Sequence, residues 1–132
     1  MFGYTLKFAS DSDNVIKGLA WKASPCGVFY ERSVAEQYLG TSDPNELATS
    51  FATWNAVLES ARKVNAASEG KVKLIGGFTE VYEPYMSSRG SQWITNGKLS
   101  VDPSAEGMFD YAKTLYSEDL TFRAEQWSKT WT

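Results

Sequence analysis

Residues 53–64, TWNAVLESARKV, constrain the fold of this 132-residue chain more than any other stretch. Trp54, Val57, Leu58, Ala61 and Val64 recur at spacings of three and four, which draws one apolar stripe along a helix. Glu59, Arg62 and Lys63 fall on the opposite, wet side. Such a stripe needs a core to lie against. The apolar run at 72–77, VKLIGG, follows the helix and reads as a buried strand. A helix feeding a buried strand is the pattern of an α/β fold.

Punctuation orders the rest. YTLKF and VIKGLAW alternate like half-buried strands around the polar stretch SDSDN, which predicts a β-hairpin over 4–21. Residues 28–66 read as a strand and helices, with the strand at 28–30. Ser33 and Glu36 have capping-box spacing, and Gly40 sits where a left-handed residue closes a helix. Asp43, Pro44 and Glu46 repeat a start signal for a short second helix, and Thr53 starts the third. Asn96 and Gly97, within WITNGKLSV, signal a tight reversal. Asp102 and Pro103 open a helix over 102–117, with Met108, Phe109, Ala112, Leu115 and Tyr116 as its apolar positions. A further helix is expected to begin at Ser128.

Composition excludes several functions. A chain that is 42% hydrophobic and 22% charged is globular, and its length suits about one domain. With a formal net charge of −3 and scattered Lys and Arg there is no basic footprint, so nucleic acid is not expected as a partner. No apolar run approaches the roughly 18 residues of a membrane span. Cys26 is the only cysteine and histidine is absent, so an internal disulfide, a Cys/His zinc site and His-dependent nucleophile systems are all excluded. No metal and no cofactor is expected. The 16 Asp and Glu make some carboxylate pair inevitable, yet none lies in a motif that marks a general acid or base.

The order of elements carries a resemblance. GVFYERSVAEQYLGTSDPNE followed by TWNAVLESARKV resembles the central signature of the family 1 extracellular solute-binding proteins of ABC transporters, which import sugars and oligosaccharides. The Thr-Trp helix start is Thr53 and Trp54, while Asn55 and Ala56 stand where that family commonly has acids. VYEPYM resembles the helix start of maltodextrin-binding members, in which an acid and an aromatic flanking proline touch the sugar. The resemblance spans roughly residues 15–131. It implies an α/β, periplasmic-binding-protein-like lobe, 1–132, with a short central sheet flanked by helices, cut from a two-lobed parent that holds its ligand in the cleft. It also implies a carbohydrate ligand, an ABC permease as partner of the full-length parent, and no chemistry. The parent would be extracellular, held by a lipid anchor outside this chain in a Gram-positive bacterium, or periplasmic in a Gram-negative one.

Sugars present apolar C–H faces ringed by hydroxyls, so their sites combine aromatic platforms with fixed donors and acceptors. The segment 78–93, FTEVYEPYMSSRGSQW, supplies both and follows the strand directly, which reads as a strand and a cleft-facing helix over 72–93. With Pro84 as first helical residue, Glu83 is the cap, its carboxylate at the positive end of the helix dipole. Tyr85 offers its ring or phenol, Arg89 a forked donor one turn on, and Trp93 a further platform. Ser24, in the ASPCG loop, stands where a maltodextrin binder uses an acid and completes the candidate ligand set. The alternative is a carbohydrate-active enzyme or accessory module in which Glu80 and Glu83 do acid/base work. Trp127 and Trp131 are large rings that need cover, so the chain is expected to be a piece of a longer one. Trp127 either faces the cleft or packs on helices beyond this chain, the second being favoured.

Overall fold

The computed structural model describes residues 3–22 and 27–130. Its elements are α1 (Gly3–Phe8), α2 (Arg32–Leu39), α3 (Pro44–Ser50), α4 (Trp54–Ala67), α5 (Thr79–Ser87), β1 (Ile94–Thr95), β2 (Lys98–Leu99) and α6 (Pro103–Ser117). The described residues are thus helix-rich, with one small antiparallel sheet, a coarse α/β arrangement. The chain divides into two compact units, Met1–Tyr30 and Glu31–Thr132.

In the first unit the expected hairpin over 4–21 gives way to a helix and a single antiparallel bridge, Ser10 to Ile16. Five alternating residues fit either period, and a helix satisfies its own backbone where a strand needs a partner along its length. The reversal itself is made by Asp11, whose Oδ1 accepts from the N–H groups of Asp13 and Val15 at 3.0 and 2.9 Å. The run 28–30 forms no strand, and Val28 and Phe29 are exposed.

The second unit is built on α4. Thr53 Oγ1 accepts from the Ala56 N–H and starts the helix, and Ala61 and Val64 of its stripe are buried. α2 and α3 pack on α4, and α5 lies against α6. Asp43 caps α3 through the N–H groups of Asn45 and Glu46. Gly40 closes α2 with φ 89°. The capping box does not form, because α2 starts two residues early, with Glu31 at the cap position, and Ser33 Oγ donates to Glu31 Oε1 at 2.6 Å instead.

Asp102 opens α6 by accepting from the Ser104 N–H. Its buried stripe is Ala105, Met108, Tyr111 and Leu115, while Phe109 and Tyr116 are exposed. Both stripes share Met108 and Leu115; the choice falls to Tyr111 because its ring meets Trp54 edge-on, centroids 5.3 Å apart. Asn96 and Gly97 form the turn between β1 and β2 with φ 53° and 73°. The expected strand at 72–77 narrows to one parallel bridge, Ile75 to Thr121, because the partner segment turns left-handed at Arg123, φ 56°. Ile75 keeps its burial and joins Ala61, Val81, Tyr111, Leu115 and Leu120 in the core. No helix begins at Ser128; residues 126–130 are turns and a bend.

Ionic contacts tie the ends of α4 and α6 together. Arg62 makes a forked contact to Glu118, Nε to Oε2 at 2.6 Å and Nη2 to Oε1 at 2.7 Å. Lys73, its side chain buried, donates to Asn65 Oδ1 at 2.7 Å and to the backbone carbonyl and carboxylate of Asp119. That triple acceptance is what allows an ammonium to be buried.

Candidate functional site

α5 begins at Thr79, five residues before Pro84, and this revises the expected helix start. Val81 and Tyr85, four apart, share one face, Val81 1% exposed and Tyr85 half-buried against the same core; only a helix already formed before the proline brings both to it. Glu80 helps to open it, its Oε2 accepting from the Gly77 N–H at 2.9 Å. Pro84 therefore sits inside the helix, where it has no N–H for the Glu80 carbonyl. Glu83 is an exposed mid-helix residue, not a cap, and its carboxylate does not stand at the positive end of the helix dipole.

The other expected site residues separate. Tyr85 stacks on Trp54, centroids 4.6 Å apart and planes 26° from parallel, and so spends its ring on the core. Its hydroxyl lies where a side chain at Gly107 would stand, which accounts for a glycine inside α6. Arg89 and Trp93 are brought together, the guanidinium carbon 4.2 Å from the ring centroid. Arg89 Nε also donates to the Ser91 carbonyl at 3.0 Å, and Ser91 is tied through its N–H and Oγ to Asp102 Oδ2. Hydrogen bonds from Ser104 and Ser91 hold the Asp102 carboxyl well below the usual carboxylate range. Ser24, Cys26 and Trp131 lie outside the described residues.

At the opposite end of α5, about 13 Å away along the helix, an open groove of about 560 Å³ lies between the helix start and the segment after α6. Phe78, Thr79, Tyr116, Arg123, Ala124, Glu125, Gln126 and Trp127 line it. Three of these rings are open to solvent, with Trp127 the most exposed at 76%. Tyr82 leans on Phe78, centroids 5.7 Å apart. Arg123 is fixed over Tyr116, its guanidinium carbon 5.1 Å from the ring centroid and Nη2 donating to the Tyr116 carbonyl at 3.2 Å. Asp119, whose carboxyl is lowered chiefly by the hydrogen bond from Lys73, lies 3.8 Å from the same guanidinium.

Platforms, one guanidinium, one carboxylate, one amide and the hydroxyls of Thr79 and Tyr116 thus surround a space of ligand size. Among the described residues no three metal-ligating side chains converge. The groove shares only Phe78 and Thr79 with the segment singled out from sequence; Tyr116, Arg123, Glu125 and Gln126 were missed. The legible signal was the tail FRAEQW, which mixes rings, charges and an amide without helical period. No family model, curated protein or solved structure matches this chain.

Proposed function

We propose that this chain binds a carbohydrate without chemistry, and that the groove between Phe78 and Trp127 is where it does so. The observation that carries the reading is the groove's lining: Phe78, Tyr116 and Trp127 as platforms, with Thr79, Arg123, Glu125 and Gln126 among them. That pairing of flat apolar surface with fixed polar groups meets both halves of a sugar's surface. Charge supports a neutral ligand, since Arg123 and Glu125 offset each other in the lining. In this reading the second unit belongs to a periplasmic-binding-protein-like lobe, and its full-length parent captures the sugar for an ABC permease, outside the membrane and held by a lipid anchor.

The site is open and one wall of a two-walled clamp, so the chain alone binds weakly. Losing half of about −8 kcal/mol takes a micromolar site to the millimolar range. Chemical-shift titration with maltose-type and other oligosaccharides tests this. Shifts at Thr79, Tyr116 and 123–127 with millimolar ligand are expected. Absence of shifts with every sugar, or tight binding of a peptide instead, overturns the reading. Shifts centred on Arg89 and Trp93 would move the site to the other end of α5.

A further inference from the structure

The groove's far wall is a segment without regular structure, residues 120–127, and something must hold it. Two of its anchors, one backbone and one side chain, converge on one carbonyl: Ala124 N–H donates to the Gly76 oxygen at 3.0 Å, and Thr121 Oγ1 donates to the same oxygen at 2.9 Å. The bridge between Ile75 and Thr121 adds the third. Between and beyond these anchors the chain takes left-handed turns at Arg123 and Trp127, φ 56° and 68°, with Asp119 at 53° just before them. Non-glycine residues hold that conformation only where their surroundings fix it. The two groove side chains with the largest reach, Arg123 and Trp127, therefore stand on backbone that depends on the docking.

Gly77 is what lets the docking happen. A β-carbon there would overlap the Ala124 carbonyl oxygen and stand 3.0 Å from its carbon. Both are backbone atoms, so no side chain can swing aside to make room. Gly77 does not line the groove, and φ is not the reason for its glycine; the reason is space.

We propose that Gly77 is a positioning residue for the groove: it sets the position of residues 120–127 through Ala124, and through them the placement of Arg123, Glu125, Gln126 and Trp127. This rests on the groove being the carbohydrate site, but the docking itself is testable without a ligand.

The experiment compares wild type, Gly77→Ala and Gly90→Ala, the last a position where an added β-carbon meets nothing within 4 Å. Hydrogen exchange reads the docking directly, with the Ala124 amide as reporter. Gly77→Ala should raise exchange across 120–127 by about tenfold or more while α4 and α6 keep their protection. Its sugar affinity, titrated with the oligosaccharide that wild type binds best, should fall by about tenfold. Gly90→Ala should change neither. Unchanged exchange at 120–127 in Gly77→Ala overturns the proposal, as does raised exchange with sugar affinity intact. Should Gly77→Ala fail to fold, Thr121→Val decides: removing one anchor should raise exchange in the same segment and weaken sugar, and no change in either refutes the docking. If wild type binds no sugar, the carbohydrate reading falls while the exchange comparison still decides the role of Gly77.

Discussion

Replacing Tyr111 by phenylalanine should stabilise this protein. The ring is 8% exposed and packs edge-on to Trp54 at 5.3 Å and tilted to Tyr85 at 6.3 Å, contacts that phenylalanine keeps. The hydroxyl is buried and has no hydrogen-bond partner among the described residues. An unmet hydroxyl costs about 1–3 kcal/mol in desolvation, so removing it should gain about 1 kcal/mol. For a chain of this size that is a rise in Tm of roughly 4 °C.

The pH dependence provides a second readout. Burial pushes the Tyr111 phenol up to about 12, with Tyr85 adding to the rise and Arg62 opposing it. The unfolded chain releases this proton near pH 10 and the folded chain holds it, so wild-type stability is complete below about pH 10 and falls as pH rises toward 12. Tyr111→Phe lacks that loss, and its advantage should widen between pH 10 and 11. Urea melts followed by circular dichroism at pH 7 and pH 10.5 measure both. A lower midpoint at pH 7 with unchanged slope would show that the hydroxyl makes a favourable bond, and would refute the reasoning.

Pro84→Ala should stabilise by about 1 kcal/mol, because it restores the N–H owed to the Glu80 carbonyl within α5; a neutral or destabilising result in thermal melts would return Pro84 to a helix start. Val81→Ala should cost roughly 2 kcal/mol by emptying a fully packed site, measured by urea melts, and a loss under about 0.5 kcal/mol would deny it a core role. Glu118→Gln should lower Tm at neutral pH and flatten the acid limb. The Arg62 hydrogen bond lowers the Glu118 carboxyl, so its contribution is present above the ordinary carboxylate value and lost as pH falls through the folded one. An unchanged acid limb in this variant would show the pair to be idle.

What the sequence made legible was local. Asp43, Thr53 and Asp102 each cap the helix they precede, since the acceptor and the N–H groups it serves lie within three residues. Asn96 and Gly97 make their turn for the same reason. Arg89 and Trp93 were legible only as separate members of the candidate set; their contact, four positions apart and past the end of α5, was not. Where two local readings were possible, tertiary contact chose. YTLKF took helix over strand, and α6 turned Tyr111 inward over Phe109 because Trp54 offered it a ring. The start of α5 went to Thr79 because burying Val81 outweighed keeping Pro84 at a helix start.

The groove belongs to neither kind. Its two walls, 78–79 and 116–127, lie far apart in the chain and meet because Ala124 and Thr121 reach the Gly76 carbonyl. A hydrophobic period records which face of an element is covered, and it carries no mark of which distant segment does the covering. Backbone docking is harder still to read, since every non-proline residue carries the same N–H and carbonyl. The one trace such an event leaves in the sequence is a residue too small to obstruct it. In VKLIGG that trace is Gly77, which strand periodicity treats as a weak position and which the approach of Ala124 makes obligatory.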